Sequence, residues 1–283
     1  MRTTAGARAR ACAARNTADA RATIARLEGS ASRCVRGRTS RRAPISGAMR
    51  GVFDARELGV PTADVERAPR RRRGAREALI VVDVQNDFVP PSGALAVPGG
   101  EEIVRACSSA CEGFERVILS QDYHCEGHSS FASSHSGRAP YDEVAFAYGT
   151  QTLWPDHCVQ GTRGCAFHDE LTIPSRAMVV RKGYSREVDS YSAFFENDKI
   201  SDTGLDEYLR REGVERVFVV GLAYDFCVKY TALDAKKLGY EAIVVRDCCR
   251  GVGLPGTMEL AEKELAEAGV VVIESFAAAP DAL

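Results

Sequence analysis

The sequence predicts a three-layer α/β/α sandwich around a central, mostly parallel six-stranded sheet. Three observations predict it. Six short apolar runs recur along the chain without the polar alternation of a half-exposed strand, so each reads as a strand buried on both faces. Helix-like segments lie between most of them, which implies right-handed connections and a parallel sheet covered on both sides. One long stretch, about residues 121–176, breaks this alternation and carries every histidine of the chain. A stretch of that length without regular pattern is usually functional.

The first run is Ala78-Leu-Ile-Val-Val-Asp83, which ends in an acid. A helix-like segment follows from Gly100 to Glu112, then the second run, Arg116-Val-Ile-Leu-Ser120. After the insertion comes Ala177-Met-Val-Val-Arg-Lys182, then a helical segment from Asp202 to Glu212. The fourth run, Arg216-Val-Phe-Val-Val-Gly221, leads into a helix over Asp225 to Leu238 closed by Gly239. Ala242-Ile-Val-Val-Arg246 is the fifth run. A helix from Pro255 to Ala268, closed by Gly269, precedes the last, Val270-Val-Val-Ile273. No internal repeat is present.

Composition narrows the function. At 45% hydrophobic residues the 283-residue chain can bury a large core, and a net charge of −2 gives no reason to expect nucleic acid or a membrane surface as partner. No apolar run approaches the roughly 20 residues that cross a bilayer. Ten cysteines without a secretory apolar segment read as reduced thiols. Cys107, Cys111, Cys248 and Cys249 read as small buried hydrophobes.

Residues 1–50 hold twelve arginines against two acids, Asp19 and Glu28. That composition fits an organellar transit peptide; a disordered leader, or a start at Met49, fits it too. The location is therefore cytoplasmic, or plastid or mitochondrial if the leader targets. Arg70 to Arg73 read as a solvated linker or a nuclear signal. Residues 1–75 are expected outside the fold as a disordered leader, and 76–283 as one domain.

In open α/β sheets ligands bind outside the carboxyl ends of the strands. Asp83 follows the first strand, Asp122 and His124 the second, Lys182 the third, and Cys227 stands at a helix start after the fourth. Asp122, His124, His128 and His157 offer carboxylate and imidazole at ligand spacing, a set suited to a divalent ion such as Zn²⁺, Fe²⁺ or Mn²⁺. Lys182 is the first of only six lysines among 37 basic residues, so a compact ammonium is wanted there rather than a guanidinium. A nearby lysine and a helix start both lower a thiol pKa, which makes Cys227 a candidate nucleophile and Asp83 its proton acceptor.

These residues carry a resemblance. Asp83-Val-Gln-Asn-Asp-Phe88, Lys182-Gly183 and Gly221-Leu-Ala-Tyr-Asp-Phe-Cys227-Val resemble the catalytic motifs of the isochorismatase-like cysteine amidohydrolase superfamily. Asp122-Tyr-His124-x3-His128-Ser-Ser-Phe131 and Trp154-Pro-Asp-His157-Cys resemble the metal segments of its nicotinamidase branch. The likeness spans about residues 78–275. It implies hydrolysis of nicotinamide to nicotinate and ammonia in NAD salvage, through a thioester on Cys227. Asp83 would be base and acid, and Lys182 would orient the pair and lower the thiol pKa. The backbone N–H groups of Ala223 and Cys227 would form the oxyanion hole, with a cis peptide at Leu222-Ala223. Asp122, His124 and His157 would hold one divalent metal ion, zinc with iron or manganese as alternatives, and His128 would be either a ligand or a neighbour. Phe88, Trp154 and Tyr191 would wall the ring. The partner is then a small molecule, and a homo-oligomer is left open.

The chain departs from the family at Tyr123, Cys125 and Tyr224, where Trp, Pro and Thr are common; Tyr224 and Cys125 bear on pocket shape and metal affinity. His135 and His168 match no ligand position, and Gly251-Val-Gly253 is a weak phosphate-loop signal. Three other readings stand beside the first: an amidase of the same fold for ureido or carbamoyl substrates, isochorismate hydrolysis, and a non-catalytic protein stabilised by structural zinc.

Overall fold

The computed structural model describes residues 50–64 and 76–278. The arginine-rich leader up to residue 49 and the run Arg70 to Arg73 lie outside the described residues. The sheet holds seven strands: β1 (Val52–Asp54), β2 (Glu77–Val82), β3 (Arg116–Asp122), β6 (Met178–Lys182), β7 (Arg216–Leu222), β8 (Glu241–Arg250) and β9 (Val271–Ile273). Their order is β1-β6-β3-β2-β7-β8-β9. The six expected strands pair in parallel, as the unbroken apolar runs require.

The seventh strand corrects the count of six and the boundary at residue 75. β1 pairs antiparallel with β6, Val52 opposite Val180 and Asp54 opposite Met178. Arg50 ion-pairs with Asp202, and Ala55 is fully buried. Only three residues long and partly exposed throughout, β1 presents no apolar run to a reader of the sequence.

Side chains alternate across the sheet as the pleat demands. Leu79 and Val81 of β2 and Phe218 and Val220 of β7 enter one core layer, with α1 (Gly100–Glu112) against it. Ile80, Val82, Val217 and Val219 enter the other, beneath α2 (Leu205–Arg211), α3 (Lys229–Lys237) and α4 (Thr257–Glu267). The chain leaves β2 toward β3 and leaves β7 toward β8, on opposite sides. The crevice where open α/β sheets bind ligands therefore falls between the carboxyl ends of β2 and β7.

The insertion is not structureless. It carries a hairpin of β4 (Glu143–Phe146) and β5 (Gly149–Thr152) and closes on the sheet through backbone bridges, His124 with Val159 and Gln85 with Phe167.

Candidate active site and metal centre

The opening motif positions the site residue by residue. Asp83 directly follows β2 at φ 48°, a left-handed conformation that costs a non-glycine residue about 1–2 kcal/mol. Its backbone N–H and its Oδ1 are both tied to the Ser120 hydroxyl, at 3.2 and 2.7 Å. The Gln85 side chain donates to the Asp122 and Cys165 carbonyls and accepts from the Asp122 N–H, all within 2.9 Å. Asp87 accepts from the Cys158 N–H at 2.7 Å, next to His157. Phe88 packs its ring on His157, centroids 5.4 Å apart. Alternate residues of one motif thus supply an acid, fix Asp122 and fix the loop of His157.

Lys182 is fully buried, and its ammonium lies 2.9 Å from Asp83 Oδ2 and 2.9 Å from Asp122 Oδ1. It also donates to the Ser190 carbonyl at 3.0 Å and approaches Cys227 Sγ at 3.5 Å. Burial opposes its charge, but Asp122 and Asp83 outweigh burial and hold the ammonium well above its ordinary pKa. Burial lifts the Asp83 carboxyl, with Lys182 pulling the other way. Asp83 Oδ1 is taken by the Ser120 hydroxyl, which leaves Oδ2, 2.9 Å from the Lys182 ammonium, as the oxygen placed to take a proton.

Cys227 lies in a π-helical turn, Tyr224–Val228, that precedes α3. The helix expected from Asp225 therefore opens with a π turn and becomes α-helical only at Lys229, a geometry frequent at functional sites. The Leu222-Ala223 peptide is cis. Burial pushes the Cys227 thiol well above its ordinary pKa; Lys182 lowers it, and Asp83 raises it further. The net direction is opposite to the expected activation. The lysine acts as foreseen, but desolvation of a buried sulfur is the larger effect.

Asp225 accepts from the Val252 and Gly253 N–H groups and from the Thr257 hydroxyl. The Gly251-Val-Gly253 loop is thus closed by the protein's own carboxylate. Tyr224 is buried in the opposite core layer with the Arg246 guanidinium 4.5 Å over its ring, away from the pocket.

Asp122 joins this cluster to a second one. Its Oδ2 lies 3.2 Å from His124 Nε2 and 3.4 Å from His157 Nε2. Each imidazole uses its outer nitrogen elsewhere: His124 Nδ1 bonds the Gly183 carbonyl and His157 Nδ1 the Pro155 carbonyl, both at 2.8 Å. A carbonyl only accepts, so both Nδ1 atoms carry hydrogen and both Nε2 lone pairs face the carboxylate. Three buried acceptors converge, and His124 Nε2 has no hydrogen-bond partner. A divalent cation resolves that convergence, and outer-nitrogen bonds to carbonyls are how metal-binding histidines are oriented. Burial alone would lower the His124 pKa, but Asp122 outweighs it and lifts it to about 9, so a proton would answer the same convergence. The residues fit a metal ion. Gly183 is required here: at φ 63° a Cβ would lie 2.5 Å from the His124 ring.

His128 packs tilted against His124, ring centroids 4.3 Å apart, but spends both nitrogens on protein partners, the Ser130 hydroxyl and the Ser185 carbonyl, each at 2.8 Å. It sits as a neighbour, although His124, His128 and Asp189 also lie close enough to share an ion. His135 bonds the Ser129 carbonyl and His168 accepts from the Glu170 N–H, and neither joins a metal group. Cys125 is half-buried and joins none. The eight cysteines among the described residues are free thiols.

A pocket opens between the two clusters, lined by Cys227 and by Asp122 and His157. Phe88, Trp154 and Tyr191, the three expected ring-wall residues, all line it. Phe226 completes the wall, 4.9 Å from Trp154 and 5.5 Å from Tyr191 by ring centroids. Sequence reasoning missed Phe226, although it stands in the quoted cysteine motif. Asp189 was also missed; it lies in an irregular loop, Gly183 to Gly204, where no periodicity marks it.

The isochorismatase domain model matches residues 77–275. The nicotinamidase of Acinetobacter baylyi is 43% identical over 206 residues, 73% of this chain and 96% of that one. Among solved structures, an Acinetobacter baumanii nicotinamidase and pyrazinamidase superposes with a TM-score of 0.69 at 44% identity, covering 71% of this chain and 97% of the other. A Pyrococcus horikoshii pyrazinamidase in complex with zinc superposes at 0.58 and 33% identity, over 71% and 99%. A parallel sheet with an acid, a lysine and a cysteine at its carboxyl edge defines an isochorismatase-like hydrolase. The chain belongs to the isochorismatase domain family.

Proposed function

We propose that this chain is a metal-containing nicotinamidase, an amidohydrolase that converts nicotinamide to nicotinate and ammonia and so supplies NAD salvage. One observation carries the reading: Lys182 Nζ stands 2.9 Å from Asp83 and 3.5 Å from Cys227 Sγ, beside an aromatic pocket that ends at Asp122 and His157. The names of the relatives support the substrate.

The thiol of Cys227 is neutral at rest, and Asp83 Oδ2 takes its proton as sulfur attacks the carboxamide carbon. The N–H groups of Ala223 and Cys227 receive the oxyanion. Asp83 then returns the proton to the leaving nitrogen, which departs as ammonia and leaves a thioester. Asp83 next takes a proton from water, whose oxygen replaces sulfur at the acyl carbon, and passes that proton to the departing Cys227 sulfur, which restores the thiol and the carboxylate. Lys182 stays charged throughout, holding Asp83 and Cys227 in reach of each other. Asp122, His124 and His157 would hold a divalent metal, zinc first, which when bound supplies a Lewis-acidic site for a water or a ring nitrogen. Phe88, Trp154, Tyr191 and Phe226 present ring faces and edges to a flat heteroaromatic substrate.

The experiment is a substrate panel on metal-loaded protein. Ammonia release from nicotinamide should far exceed that from ureido or carbamoyl amides of similar size. Faster release from a non-aromatic ureido compound would replace the nicotinamidase reading with another amidase of the same fold.

A further inference from the structure

We propose that Gln151 is a positioning residue for the substrate ring, acting through the Tyr191 hydroxyl. The inference rests on the carboxamide-hydrolase reading above.

Gln151 stands on β5 between exposed and half-exposed neighbours, yet it is 1% exposed. A primary amide buried on a solvent-facing hairpin is costly unless its hydrogen bonds are made. They are made, and they converge on the ring wall. Its Nε2 lies 2.7 Å from Asp189 Oδ2, 3.0 Å from the Tyr191 hydroxyl oxygen and 2.7 Å from the Thr152 carbonyl. Its Oε1 accepts from Asn197 Nδ2 and from the Tyr148 hydroxyl, each at 3.3 Å. Asn197 closes the ring of contacts, accepting from the Tyr191 N–H at 3.1 Å and donating its own N–H to the Asp189 carbonyl at 2.7 Å.

Among the described residues, the Tyr191 hydroxyl otherwise accepts only from Trp154 Nε1, at 3.3 Å. Tyr191 and Trp154 stand edge to face and both pack on Phe226. Gln151 therefore fixes the orientation of two pocket walls at once, and ties them to Asp189 beside the metal-binding group. Without it, the wall must be ordered when substrate binds, which weakens binding. No hydrogen bond joins Gln151 directly to Asp83, Lys182 or Cys227, so the bond-breaking steps should be little affected.

The test uses the full, metal-loaded chain with nicotinamide, measuring kcat and KM for Gln151→Met, Gln151→Asn, Tyr191→Phe and Gln151→Met with Tyr191→Phe together. Methionine keeps the volume and removes the N–H donors; asparagine keeps the amide but withdraws it from Tyr191. Both Gln151 variants should raise KM about tenfold with kcat changed less than about threefold, because the released Tyr191 wall must then be ordered when substrate binds. The double variant should be no worse than the poorer single one, since both remove the same contact. Unchanged KM in the Gln151 variants, a fall in kcat alone, or multiplying effects in the double variant would overturn the inference. No ammonia from the wild-type chain would instead overturn the hydrolase reading on which it rests.

Discussion

At the scale of the residue, the site works by sharing charge between neighbours that none could bear alone. A buried lysine without partners would lose its proton, and two buried carboxylates without a cation would gain one. Lys182 between Asp83 and Asp122 satisfies both conditions, and Asp122 keeps a second oxygen for the histidines. Glu196 is a weakly supported buried acid: it is 1% exposed and, among the described residues, accepts side-chain hydrogen bonds only from the Gly183 N–H, at 3.2 and 3.3 Å. Burial raises its carboxyl to about 8, with Lys182 opposing. The folded chain then keeps a proton that the unfolded chain releases near 4.5, so this group costs stability progressively as pH rises from about 4.5 toward 8. Glu196→Gln should melt close to wild type near pH 5 and at a higher temperature than wild type at pH 8. A difference in melting temperature that does not change with pH would contradict that assignment.

At the scale of the element, the chain was legible where burial left a period and opaque where it did not. The six parallel strands show as continuous apolar runs because both faces of the sheet are covered. Asp83, Lys182 and Cys227 were legible because a charged or nucleophilic side chain at the end of such a run has no packing role. β1 was not legible, since a three-residue edge strand needs no apolar signature. Gln151 and Asp189 were opaque for a related reason: their partners lie in other segments, and no local spacing encodes a contact across the fold. β1 nevertheless matters, because it covers the free edge of β6, whose last residue is Lys182. A chain starting at residue 76 should melt roughly 4–8 °C below one starting at residue 50, the shift expected for about 2 kcal/mol in a domain of this size. Equal melting temperatures would mean that β1 contributes no stability.

At the scale of the whole molecule, the site sits where the topology turns. β2 and β7 are neighbours whose connections depart in opposite directions, which opens the crevice that Asp83 and Cys227 flank. The insertion then folds over that crevice, bringing His124, His157 and Trp154 from a segment whose sequence offered candidate ligands but not shape. Asp122 belongs to β3, so the sheet holds one residue of the candidate metal group whether or not an ion is bound. Removing the metal with a chelator should therefore abolish most ammonia release while the far-ultraviolet circular dichroism of the sheet persists. Collapse of the sheet on chelation would favour structural zinc.

The central claim is that Cys227 attacks a nicotinamide carboxamide. The most direct measurement is ammonia release from nicotinamide by the metal-loaded chain beside Cys227→Ala. Release by the first and none by the second is the predicted result. Equal release by both, from proteins equally folded and equally loaded with metal, would contradict it.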